Sequence, residues 1–254
     1  MKLKEVQEKL KVLFPEEELD FDPQTLIHGD GRKKIGKIAI SLDLDTDTIK
    51  QAKKKGCDLL LIHHGLPSYD NPNHEIPKKK VDLLKKIDLA AYTLPISLDN
   101  SPYGTTAGLV KLLGIPSKPV SINFKEKVLN GAVYKSIKNV SHREIIRKVK
   151  AYGSATVRIV GKSKPTYQRC IFAAGGGFMT DILDQLKPDL YISGELEYKT
   201  IRMAKEMGTV LIELSHSSTE GPPLKYTAKY IEEQLSIKTV YIKHKEPKIL
   251  NIRK

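Results

Sequence analysis

Several features are scarce in this chain, and each scarcity excludes a class of protein. Only two cysteines, Cys57 and Cys170, occur in 254 residues, both inside apolar runs. That excludes a disulfide scaffold and predicts two buried thiols in a reducing compartment. Apolar runs such as Leu59 to Ile62 fall far short of the ~20 residues needed to cross a bilayer. No membrane span is expected. The start, Met1-Lys2-Leu3-Lys4-Glu5, has no apolar stretch behind it, so no secretory signal is expected and the predicted location is cytoplasmic. Arginine is scarce as well, at seven of 43 basic residues, although bidentate reading of phosphate or guanine favours it over lysine. No Ser-His-Asp arrangement and no cysteine nucleophile stands out.

Positive charge is abundant, at a formal +13. Much of it lies in Lys53 to Lys55, Lys78 to Lys80 and Lys85-Lys86, which alternate with apolar residues at helical spacing. That pattern is a solvated helix face, so charge alone leaves nucleic acid as a secondary reading. With 40% apolar and 29% charged residues the composition is that of a globular protein, and the length suits two lobes.

Hydrophobic periodicity predicts an α/β protein. Leu3, Val6, Leu10 and Leu13 mark an amphipathic helix, and Lys37 to Leu42 a strand ending at Asp43. A helix over about 46–55 closes at Gly56. Cys57 to Ile62 is a strand buried on both faces, ending in His63-His64-Gly65. A Pro- and Asn-rich loop over 67–77, a helix over 78–87 and a strand-like run over 89–98 follow. Gly114 to Pro119 reads as a linker. Beyond it come strands at 129–135, 155–160, 169–174, 190–192, 210–214 and 239–243, with helices at 141–151, 178–187, 196–207 and about 223–235. The expected architecture is two α/β lobes with mixed sheets flanked by helices, 1–122 and 123–221. Residues 222–254 are able to complete either lobe.

In open α/β sheets functional groups gather beyond the carboxyl ends of strands. Here such ends carry His63-His64, Asp99, Glu195, and His216 with Glu220. Imidazoles and carboxylates are ligands for divalent transition ions. Adjacent histidines on a regular strand point to opposite faces. If the chain turns at Gly65, both reach one side, where two ions ~3.5–4 Å apart let each serve its own metal. Asp99, with two oxygens, is the expected bridge. His216 and Glu220 share a face if that stretch is helical. Taken singly, each of these residues also fits ordinary turn chemistry or a hydrogen-bonded structural histidine. Asp43 suits either a partner that orients a ligand or a helix N-cap. Gly175 to Gly177 suits a tight strand-to-helix turn or a phosphate contact, without the spacing of a P-loop. His28, His74, His142 and His244 stand in polar contexts and are expected to be exposed.

The segments Asp58 to Gly65, Ser97-Leu98-Asp99, Ser193-Gly194-Glu195 and Ser215 to Glu220 resemble, in order and spacing, the signature blocks of the Nif-three-like dinuclear-metal proteins. These are also called GTP cyclohydrolase 1 type 2 homologues. The resemblance covers nearly the whole chain. It implies two metal ions held by His63, His64, Asp99, His216 and Glu220 in the cleft between two lobes, and a homohexameric, toroidal assembly. Two positions depart from the family pattern. Pro95 stands where many members have a histidine four residues before the bridging Asp, and Tyr198 where many have one three residues after the acidic residue of the Ser-Gly-Glu block. Glu195 and Tyr198 are the replacement candidates for proton transfer, Tyr being the weaker with an ordinary pKa of ~10.

Two divalent ions (Zn, Fe, Mn, Co or Ni) with two carboxylates leave roughly +2 at such a site, which attracts an anion. The expected activity is that of a metal-dependent hydrolase acting on an anionic, nucleotide-like small molecule, with water activated at the ions as nucleophile. The alternative is a non-catalytic metal-binding protein whose basic surface meets nucleic acid or an acidic protein.

Overall fold

A computed structural model describes residues 1–15, 23–66, 74–124, 127–154, 156–176 and 179–245. The first part of the chain forms α1 (Leu3–Leu13), β1 (Leu26–His28), β2 (Lys37–Asp43), α2 (Thr46–Lys54), β3 (Leu59–His64), α3 (Glu75–Lys86), β4 (Ala90–Thr93), α4 (Ile96–Asp99) and α5 (Thr105–Leu113). There follow β5 (Ser117–Phe124), β6 (Lys127–Ser136), β7 (Val140–Ser141), α6 (His142–Tyr152), β8 (Arg158–Val160), β9 (Thr166–Tyr167) and β10 (Cys170–Phe172). The last part contributes α7 (Met179–Leu186), β11 (Leu190–Ser193), α8 (Tyr198–Met207), β12 (Val210–Glu213), α9 (His216–Glu220), α10 (Leu224–Leu235) and β13 (Lys238–Tyr241).

Two principal sheets result, each covered by helices on both faces. The first has the order β1-β4-β3-β2-β13, parallel throughout except for β1 at one edge. The period-2 alternation of its strands sorts the core. Ile38, Ile40, Leu59 and Leu61 pack with Leu3, Val6 and Leu10 of α1 and with Leu224, Ile231 and Leu235 of α10. Ala39, Leu60 and Ile62 face the other way, onto Ile49 and Ala52 of α2 and Leu84 of α3. The second sheet runs β5-β6-β10-β11-β12-β8, with β10, β11 and β12 parallel and the outer strands antiparallel. Leu109 and Leu113 of α5 and Ile145 and Val149 of α6 cover one face. Ile182 and Leu183 of α7 and Ala204 of α8 cover the other. Cys57 and Cys170 are both free and buried. Among the described residues no helix is long and apolar enough to cross a membrane.

α10 and β13 join the first sheet, since β13 pairs in parallel with β2 and α10 packs on the same sheet. Residue 122 falls inside β5, and α5 already packs on the second sheet. Two elements differ from the sequence expectation. Residues 117–119 begin β5 rather than a linker, since β5 is an edge strand and Pro119 needs to donate no bond on its open side. The run over 89–98 stops being a strand at Thr93, and Pro95 then caps the short α4. The proposed loop over 67–77 and the strand from 155 lie partly outside the described residues, as does Gly177.

Ile231 is fully buried between α10 and the first sheet, whereas Lys229 projects outward in an exposed ion pair with Glu233. Ile231→Ala is expected to lower unfolding stability by about 2–5 kcal/mol, and Lys229→Ala by less than about 0.5 kcal/mol, measured by urea titration.

Candidate metal centre

The carboxyl ends of the two parallel strand sets meet, and the polar residues at those ends converge. β3 delivers His63 and His64, β4 leads through α4 to Asp99, and β12 leads to α9 with His216 and Glu220. Glu220 is the hub. Its Oε1 lies 3.7 Å from His63 Nε2, and its Oε2 lies 3.1 Å from His64 Nε2 and 2.8 Å from His216 Nε2. Asp99 Oδ1 lies 3.5 Å from His63 Nε2 and accepts a short hydrogen bond from the Thr105 hydroxyl. Strand alternation does not separate the two histidines, because Glu220 sits beyond the strand end, with one oxygen toward each ring.

Close backbone approach makes room for the carboxylate. Gly175 follows β10 with φ +62°, and a Cβ there would come within 1.9 Å of Glu220 Oε1. Only glycine fits both the conformation and the space. The Gly175 N–H donates to Thr219 Oγ1, the Thr219 hydroxyl donates to the His216 carbonyl, and the Gly194 N–H donates to the Gly175 carbonyl. Ser215 precedes α9 with φ +70°, unusual for a non-glycine residue, and its hydroxyl caps the helix by accepting from the Ser218 N–H.

Each imidazole is held by its other nitrogen. His63 Nδ1 is 3.0 Å from the Leu94 carbonyl, His64 Nδ1 2.9 Å from Asp43 Oδ1, and His216 Nδ1 2.8 Å from Glu195 Oε1. An acceptor opposite Nδ1 places the proton there and leaves Nε2 as a lone pair in the neutral ring. Three such lone pairs then point at carboxylate oxygens, and His64 Nε2 faces His216 Nε2 at 3.3 Å. This arrangement is satisfied in two ways: by extra protons, or by cations.

In the metal-free protein protons take that role. Burial opposes charging of His63, but Asp99 and Glu220 outweigh it and raise its pKa to about 10. Burial likewise opposes His64 and His216, while Asp43 and Glu220 raise the first, and Glu220 the second, to about 9. Burial works against the Glu220 carboxylate as well, yet the imidazoles hold its pKa well below the usual range. Burial and the charge of Glu220 push Asp99 up, against the opposing pull of His63.

The donor set also fits a divalent cation. Separations of 2.8, 3.1 and 3.3 Å among His64 Nε2, His216 Nε2 and Glu220 Oε2 match the ~3.3 Å edges of a tetrahedron with ~2.0 Å metal–ligand bonds. His63, His64 and Glu220 also form one of the described groups able to hold an ion.

Of the residues named from sequence, His63, His64, Asp99, His216 and Glu220 come together. Glu195 is drawn in at His216. Tyr198 is not, being 76% exposed at the start of α8. Asp43 is the partner of His64, and the N-cap of α2 is Asp45. The expectation of exposed histidines fails at all four positions, since His28, His74, His142 and His244 are each half-buried, and His74 Nδ1 accepts from the Ile76 N–H at the start of α3. His142 Nδ1 bonds to the Tyr167 hydroxyl, and His244 has its Nδ1 3.0 Å from Asp43 Oδ2 and 3.4 Å from Asp45 Oδ2. Thr105 and Gly175 also escaped the sequence reading as parts of the centre, although the strand-to-helix position of the glycines was its one visible signal.

Comparison with known proteins places the chain among relatives of the same fold. The family model Duf34/NIF3 (NGG1p interacting factor 3) matches residues 1–247. A "GTP cyclohydrolase 1 type 2 homolog" of Clostridium perfringens is 30% identical over 239 residues, covering 90% of each chain. A protein of the same name from Methanocaldococcus jannaschii is 29% identical over 94% of this chain and 98% of its own. Among solved structures, reduced HcgD from M. jannaschii superposes with a TM-score of 0.78 at 25% identity, over 95% of this chain and 97% of that one. Staphylococcus aureus SA1388 shares the fold at 16% identity, with a TM-score of 0.82 over 99% of both chains.

The three histidines with raised pKa stabilise the metal-free fold fully below about pH 6.5, and that contribution is lost as pH rises through about 9 to 10. In chelator, Tm is expected to fall over this interval. Glu220→Gln removes the charge that raises the imidazoles, so the slope of Tm against pH should flatten in that variant.

Proposed function

The chain belongs to the Duf34/NIF3 family, and from that premise we propose that it is a metal-dependent hydrolase whose two-ion centre acts on an anionic, nucleotide-like small molecule. In this reading His64, His216 and Glu220 would hold one divalent ion, while His63, Asp99 and Glu220 would hold the other. The observation that carries it is the facing pair of Nε2 atoms, each with Nδ1 tied to an acceptor and both against one carboxylate oxygen. When bound, such ions supply Lewis acidity and lower the pKa of water.

The protein's own groups do the rest. The Leu94 carbonyl, Asp43 and Glu195 fix the rotation and tautomer of the three rings. Thr105 orients Asp99. The role assigned to Asp99 from sequence, bridging two ions, fits Glu220 better, because Glu220 has one oxygen on each side while the close contacts of Asp99 lie beside His63 and Thr105. Glu195 is a positioning residue for His216, which leaves it less suited to act as a free acid or base. A site carrying such cations would favour an anionic substrate, and GTP is the first probe, given the name carried by the relatives. The homohexameric assembly expected from the resemblance belongs to the same proposal.

A second reading, a metal-binding protein without turnover, is favoured by one observation. The titratable side chains at the centre are engaged with one another, and Tyr198, which the family resemblance sets at the place of a histidine, points to solvent.

Elemental analysis separates the roles of the two carboxylates. The wild type is expected to hold about two ions per chain, Asp99→Ala about one and Glu220→Ala none. If Asp99→Ala loses both while Glu220→Ala keeps one, Asp99 is the bridge. Turnover separates the two functions: chelator-sensitive conversion of GTP or a simple phosphoester supports the hydrolase. Steeply salt-dependent binding of DNA or RNA without turnover supports the second reading.

A further inference from the structure

A cavity of about 710 Å³ lies beside the candidate centre, within the range of small-molecule sites. Gln51 of α2, Tyr241 of β13, and Lys243 and Lys245 beyond it form the wall from the first lobe. Ser217 and Ser218 of α9 form part of the opposite wall. Ser217 also lines the smaller cavity that contains Asp43, His64 and His216, so the two spaces share a border. α9 is the partition between them: His216 and Glu220 serve the centre, and the serines between face the larger cavity.

The charge in this cavity is of one sign. No carboxylate lines it among the described residues. Lys243 and Lys245 have no carboxylate within ion-pair distance among the described residues, unlike the many lysines of this chain that pair along helix faces. Both lysines also line an adjoining depression of about 300 Å³ with Asp45 and Asp47. Asp45 is already engaged by His244 and by Lys80. Among the described residues the larger cavity itself presents two ammonium groups, an imidazole, hydroxyls and an amide to an occupant, with Asp47 confined to the adjoining depression, a combination suited to a phosphate dianion.

We propose that this cavity binds the phosphate of a phosphomonoester-bearing small molecule, Lys243 and Lys245 holding the phosphate while the other end passes Ser217 toward His64 and His216. The orientation rests on the metal-centre reading, whereas the phosphate site stands on the cavity itself. The cavity is half open and its volume suits a single nucleotide-sized ligand.

Calorimetry on the full chain, with and without bound metal, tests the assignment using GMP, inorganic phosphate and guanosine as probes. The wild type should bind GMP at least about tenfold more tightly than guanosine. Lys243→Ala/Lys245→Ala should lose at least about tenfold for GMP and phosphate, with guanosine binding, metal content and Tm unchanged. Equal GMP affinity in wild type and variant overturns the site, as does no binding of GMP to the wild type. GMP bound no better than guanosine, or tight binding of an oligonucleotide that phosphate does not displace, overturns it too. Loss of lysine dependence with metal still loaded defeats this inference alone. Lysine-dependent GMP binding by a protein that takes up no metal defeats the metal-centre reading alone.

Discussion

The arrangement around Glu220 is the constraint on which the functional end of the molecule depends. A carboxylate that is only 4% exposed is strongly unfavourable unless its charge is met. Here three imidazoles meet it, two from the first sheet and one from the same short helix as the carboxylate. Gly175 gives it space, the Gly194–Gly175–Thr219 hydrogen bonds fix the helix that bears it, and the unusual backbone at Ser215 starts that helix at the required angle. Removing Glu220 would leave three imidazoles facing one another across a buried gap. Keeping it requires protons or cations on their Nε2 atoms.

Those two ways of satisfying the cluster compete. Protonation of the imidazoles supports the metal-free fold at neutral pH, and each histidine must release its Nε2 proton before a cation replaces it, so metal uptake and proton release are linked. The formal +13 of the sequence has little part in this. Most of the lysines on α2 and α3 are exposed on helix surfaces, as their spacing implied. The positive groups given a local role are few: Lys243 and Lys245, which line the cavity and have no ion-pair partner among the described residues, and the histidines of the cluster.

Much of this was legible from residue order. Apolar runs ending in His-His or leading to a His-x-x-x-Glu segment announce parallel strands with ligands at their carboxyl ends, because a strand buried on both faces has its functional positions only at its ends. What was not legible depended on tertiary placement. Asp99 and Glu220 are equivalent as sequence candidates for a shared ligand. Only the meeting of the two sheets places Glu220 between the rings and Asp99 to one side. His244 reads as surface because lysines flank it, yet β13 joins beside β2 and turns it onto Asp43. Gly114 to Pro119 reads as a linker because its glycine and two prolines suit a turn, yet the edge strand β5 starts at Ser117 and accepts Pro119 equally well.

The central proposal is that Glu220 would be shared between two cations, with His64 and His216 on one side and His63 and Asp99 on the other. Anomalous scattering from crystals of the protein loaded with a transition metal tests it most directly. Two peaks are predicted, one among His64, His216 and Glu220 and the other among His63, Asp99 and Glu220. A single peak, or none after loading, would contradict the account.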